Sequence, residues 1–156
     1  MDSHQLFLHA AATGDVASMD QEYVKNKTVI TAKDSTNRTA LHLAALNGHL
    51  NAVKQLLDYG IAWCSKDNQG QTALHLAAQL SSATIAETLL ERGANCCTQD
   101  HDGKTPVFYA YRNYSPDVVS CFLKYVESSC GTDKNCSLTP QIILGGGCRK
   151  WTPLHA

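Results

Sequence analysis

The chain has 156 residues and no apolar run near the roughly 18 that a membrane-crossing helix needs. It has almost no excess of charge either: 13 Lys and Arg stand against 14 Asp and Glu, a formal net charge of −1. Such a balance argues against nucleic acid or an anionic membrane as the partner. The N-terminal "MDSHQLFLHAAATGD" has no basic segment ahead of its short apolar stretch, so it does not read as a secretory signal. Seven cysteines are present, but the number is odd and no C-x-x-C pair occurs. A secreted disulfide framework is therefore not expected. N-x-S/T sequons at Asn26, Asn37, Asn113 and Asn135 carry no weight without a secretory route. The expectation is an intracellular, cytoplasmic and monomeric protein.

What the sequence does contain is repetition. "TALHLAA" from Thr39 recurs unchanged from Thr72, and Thr105 continues the interval of 33. Thr152 follows after 47, an excess of 14. Periods of about 20–50 residues mark stacked supersecondary units. Each unit reads as two short helices. The first, near Thr39–Asn47, is rich in Ala and Leu, and the pairs Ala44-Ala45 and Ala77-Ala78 allow close helix approach. Gly48 suits a left-handed corner, and Leu50, Val53, Leu56 and Leu57 then recur at helical spacing. Asp67 to Gly70 and Asp100 to Gly103 carry turn chemistry. A lone helix pair cannot bury its apolar stripe, whereas a stack of copies can.

These residues, with "TPLHA" at Thr152 and Gly93-Ala94-Asn95, resemble the ankyrin repeat. The resemblance implies an all-α repeat solenoid of helix-turn-helix units linked by β-hairpin-like loops, with a concave recognition face. Residues 1–156 are expected to form one array, with units at about 5–38, 39–71, 72–104 and 105–151, and 152–156 starting a fifth. The first unit, with Asp20, Gln21 and Glu22 in its second helix, is expected to be a polar N-terminal cap. In the fourth, Phe108, Tyr111 and Tyr114 replace His, Ala and Gly, and residues 127–150 are read as a long inserted loop. Breaking off at Ala156 reads as a piece of a longer array, which leaves room for a larger enzyme or channel of which this is the recognition segment.

No catalytic or metal constellation stands out. His42 and His75 occupy equivalent places in successive units, so stacking parts them by about the 8–10 Å of packed helices. A shared zinc ion would need both within about 2.3 Å. The resemblance instead implies a structural signature of Thr39, His42, Gly48, Thr72, His75 and Thr105, with each Thr and His tying a helix start to a hairpin. Cys64 and Cys97, equivalent by the same offset, read as small packing residues. Cys130, Cys136 and Cys148 lack zinc-ribbon spacing; a redox- or metal-sensing module is the alternative they keep open. "LGGGCRKWT" lacks the Gly-Lys-Ser/Thr of a phosphate loop. No enzyme activity and no cofactor are expected.

The expected function is a scaffold for a partner protein or peptide. Carried over position by position, the hairpin tips supply Ser35, Thr36 and Arg38, then Asn68, Gln69 and Gln71, then His101, Asp102 and Lys104. The first helices supply Leu46 and Asn47, Gln79 and Leu80, and Arg112 and Asn113. These positions vary while the framework around them repeats. Leu46 and Leu80, apolar on a wet face, are the expected anchors. Phe108, Tyr109, Tyr111 and Tyr114 read as repacking against the inserted loop or as a binding patch.

Overall fold

The computed structural model describes residues 2–94, 96 and 98–129. They form four helix pairs: α1 (Ser3–Thr13) with α2 (Val16–Lys25), α3 (Ala40–Leu46) with α4 (Leu50–Asp58), α5 (Ala73–Gln79) with α6 (Ala83–Glu91), and α7 (Pro106–Arg112) with α8 (Pro116–Ser129). A 3-10 turn, Lys27–Thr31, leads out of the first pair, and among the described residues the only β feature is one antiparallel bridge, Lys33 to Thr39. The fold is thus an all-α repeat solenoid whose units are linked by hairpin-like turns, closed by Asp34 N to Arg38 O, Asp67 N to Gln71 O and Asp100 N to Lys104 O.

Local sequence accounts for each boundary. Asp2 caps α1 by accepting from Gln5 N at 2.9 Å, so the first unit opens at Ser3, slightly before the expected start near Gln5. Thr39, Thr72 and Thr105 stand in extended conformation at the N-caps of α3, α5 and α7. Pro106 and Pro116 occupy first-turn positions, where a missing N–H costs nothing.

Repetition places the apolar faces. α1 packs on α3, α3 on α5 and α5 on α7, while α2, α4, α6 and α8 form a second row. Ala44, Ala45, Ala77 and Ala78 are buried without remainder, which keeps the first row close. Between the rows lie Phe7, Met19, Leu41, Leu56, Leu74, Ile85, Leu89 and Phe122, all fully buried. Each such side chain contributes about 1.5–3 kcal/mol relative to exposure.

The first unit is less polar a cap than its sequence suggested. Glu22 is buried, and the Asp20 carboxylate accepts from Gln55 Nε2 on α4 at 3.0 Å. Asp20 therefore joins the first unit to the second, and Gln21 alone of the three is exposed.

The corner between paired helices takes a left-handed residue every time: Gly14 (φ 77°), Gly48 (φ 75°), Ser81 (φ 57°) and Tyr114 (φ 53°). Ser81 has a compensating hydroxyl contact with Ser115, whereas Tyr114 is 91% exposed and buries little. Relieving its backbone should outweigh the small loss. Tyr114→Gly is expected to stabilise the chain by about 0.5–1 kcal/mol. A thermal melt unchanged or lowered by this substitution would show that the tyrosine ring holds the corner.

Candidate functional site

Three turns project from the stack, each built on an aspartate at the same interval. Asp34 Oδ1 accepts from Thr36 N and Arg38 N, both at 2.9 Å. Asp67 Oδ1 accepts from Gln69 N at 2.9 Å and Gln71 N at 3.0 Å. Asp100 Oδ1 accepts from Asp102 N at 2.9 Å and Lys104 N at 2.8 Å. Burial, the largest single influence on each, pushes the Asp34 and Asp100 carboxyls up, but hydrogen bonds outweigh it and hold both below their ordinary range. At Asp34 the backbone donor of Arg38 leads, and at Asp100 the Tyr109 hydroxyl leads, with the Lys104 amide after it. The first of these aspartates escaped the sequence reading because Asn37 (φ 66°) stands where the later turns have glycine.

Successive tips are also joined to one another. Asn68 N donates to Thr36 O and His101 N to Gln69 O, each at 3.0 Å. The Arg38 guanidinium pairs with Asp67 Oδ2 at 3.5 Å, across the first and second tips.

The two equivalent histidines anchor the tips from beneath. His42 Nε2 lies 2.8 Å from Gln71 O and His75 Nε2 lies 3.0 Å from Lys104 O. A carbonyl only accepts, so Nε2 carries the proton in both rings. Nδ1 is then free to accept, and it does so from Thr39 N at 3.2 Å and Thr72 N at 3.1 Å. Burial above all lowers both imidazole pKa values and keeps the rings neutral. Each ring serves its own unit and the next tip, and they do not converge on a common ligand. Among the described residues no group of three His, Cys, Asp or Glu lies close enough to hold a metal ion.

The proposed contact positions divide by exposure. Ser35, Thr36, Asn68, Gln69, His101 and Asp102 are exposed at the tips, with Arg38 and Lys104 half-buried beside them. On the helices Asn47, Leu80, Arg112 and Asn113 are exposed and Leu46 and Gln79 half-buried. Gln71 departs from the expected set. It is 7% exposed, and its Nε2 donates to the Tyr109 hydroxyl at 3.2 Å, so it is a joint within the array and not a reading residue. Asn113 has its amide engaged, donating to Gln79 O at 2.8 Å.

Family membership rests on this pattern. The family model for ankyrin repeats, in three copies, matches residues 6–100. The chain belongs to the ankyrin-repeat family. Ankyrin repeats are in general protein-interaction modules and typically non-catalytic. Comparison with curated proteins returned no match to this ankyrin chain. No helix among its described residues is long and apolar enough to cross a membrane.

Two further expectations change on this ankyrin frame. Cys64 is exposed and so is no packing residue, whereas Cys96 is buried. The aromatic cluster splits: Tyr109 is buried and Phe108 half-buried, while Tyr111 and Tyr114 border an open apolar hollow of about 430 Å³ with Pro116 and Val119. Of the expected insertion at 127–150, the first three residues continue α8 to Ser129 instead of starting a loop, and the rest, with Cys97, Cys130, Cys136 and Cys148, lies outside the described residues.

Proposed function

We propose that this ankyrin array holds a partner protein or peptide and performs no catalysis of its own. The surface it offers runs from the exposed tips, Ser35, Thr36, Asn68, Gln69, His101 and Asp102, to Leu46, Asn47, Gln79, Leu80, Arg112 and Asn113 on the first helices. One observation supports it above the others: the exposed tip residues stand on turns in which each aspartate accepts two of the turn's own backbone N–H groups through Oδ1. Little ordering remains to be done on association, which lowers its entropic cost. Arg38, Lys104 and Arg112 against Asp102, among many amides, suit a polar surface or an extended peptide, and these contact positions among the described residues make no basic track for phosphates.

Leu80 is 45% exposed, a large apolar side chain beside polar neighbours, and it is the stronger of the two anchors. Leu80→Asp combined with Leu46→Asp is expected to weaken a captured partner by about 2 kcal/mol or more, some thirtyfold. Far-ultraviolet circular dichroism should stay unchanged. Undiminished capture by a folded double variant would place the interface elsewhere.

A further inference from the structure

The fourth unit breaks the pattern that ties tip to tip. Phe108 stands where His42 and His75 stand in the earlier units, and its ring has no N–H to give to a following turn. The next residue, Tyr109, occupies the position of Leu43 and Leu76, yet it carries a hydroxyl. That hydroxyl points back to the turn preceding its own helix. It donates to Asp100 Oδ2 at 2.5 Å and accepts from Gln71 Nε2 at 3.2 Å. Asp100 thereby divides its oxygens, with Oδ1 serving Asp102 N and Lys104 N and Oδ2 serving the phenol. The Tyr109 ring also meets His75 edge-on, centroids 6.0 Å apart, and His75 donates to Lys104 O at 3.0 Å. Asp100 and His75, which both hold the third tip, are thus within reach of one side chain.

We infer that Tyr109 is a positioning residue for the third tip: its hydroxyl couples Asp100 to Gln71 and sets where His101 and Asp102 stand relative to the second tip. A leucine in its place would leave both Asp100 Oδ2 and the Gln71 amide without this bond. At the second tip Arg38 serves Asp67 Oδ2 in an analogous way, through charge. The two tips are thus locked by unlike chemistry. The inference rests on the protein-binding reading only for what His101 and Asp102 are used for; the clamp itself does not depend on a partner.

Amide hydrogen exchange on the isotope-labelled full chain tests it without a partner, so its failure is distinct from failure of the binding reading. In Tyr109→Phe the Asp102 and Lys104 amides should exchange about tenfold to a hundredfold faster, as the loss of one hydrogen bond to a charged group implies. The Thr36 and Arg38 amides, held by Asp34 in the same manner, should not change. Equal acceleration at both tips would mean a general loss of stability and overturn the positioning role, as would no acceleration at all. If the variant does not fold, the wild-type chain still decides. Burial most of all, and then the Asp100 carboxylate, push the Tyr109 phenol up to about 12. In ring-labelled protein the assigned Tyr109 phenol should stay protonated to about that pH, and its titration in the ordinary range near 10 would sink the proposal.

Discussion

Acidification from about pH 6.5 towards pH 5 is expected to strip this array of stability at up to about 2.7 kcal/mol per pH unit. Two histidines carry the effect. Both are buried neutral, with Nε2 donating to a carbonyl of the next tip and Nδ1 accepting from a threonine amide. Burial, the leading cause, puts both native pKa values below the ordinary 6.5. The sign follows from proton counts. Between the ordinary value and the depressed one, the unfolded chain binds protons that the native state refuses, so acid favours unfolding. The contribution is present above about pH 6.5 and declines as pH falls from there towards the depressed native values, at no more than about 1.4 kcal/mol per unit for each ring. A proton forced onto Nδ1 would also face the threonine N–H that the ring now accepts from. Asp34 and Asp100, whose pKa values lie below 3.8, add their own acid loss only at lower pH.

Urea titrations across this range measure the slope. His42→Gln separates the two rings, because a glutamine carbonyl three residues into a helix still accepts from the N-cap amide while gaining no charge. That variant should lose about half of the slope. A denaturation midpoint flat from pH 7 to pH 5, or an undiminished slope in His42→Gln, would contradict the assignment of neutral hooks.

Gly70→Ala should cost about 3 kcal/mol or more, against about 1 kcal/mol for Gly48→Ala. The backbone is the same at both, φ 76° and φ 75°, and a side chain resists that region equally. The surroundings differ. A Cβ on Gly48 meets nothing within 4 Å, whereas on Gly70 it would lie 2.5 Å from His101 Cδ2 and 2.8 Å from His101 N. An imidazole can rotate away. The backbone nitrogen cannot retreat without breaking its 3.0 Å bond to Gln69 O, so the third tip would have to part from the second. The comparison is made by urea unfolding of both variants, with His101→Ala added to Gly70→Ala as a partial rescue. Equal costs at the two glycines would show that the tips are not packed on each other as described.

The architecture was legible because its causes are local. Thr39, Thr72 and Thr105 mark helix starts by a side chain acting within three residues, and Gly48 announces a corner by lacking a Cβ. The spacing of Leu56, Leu57, Leu89 and Leu90 shows which faces are buried, since one helical period governs both sequence and packing. Corners at Ser81 and Tyr114 were less obvious, because there the stack imposes a backbone that the residue itself does not prefer.

The candidate surface was legible only in outline. Chain position told that residues 35, 68 and 101 sit at turn tips; it did not tell which neighbours face outward. Gln71 looked like a tip residue until the fourth unit brought Tyr109 over it from 38 positions away. Asp20 and Glu22 looked like solvent-facing cap residues until α4 reached the first.

From sequence alone came the family, the repeat, the helix ends and the apolar stripes, all consequences of interactions spanning a few residues or of one period repeated. The stacking of units decided the rest: which imidazole meets which carbonyl, where the Tyr109 hydroxyl points, and which amides stay in water. Those contacts join residues about 30 positions apart or more, or turn on packing from a neighbouring unit. Their existence depends on how one helix pair rests against another, a distance that no local preference encodes.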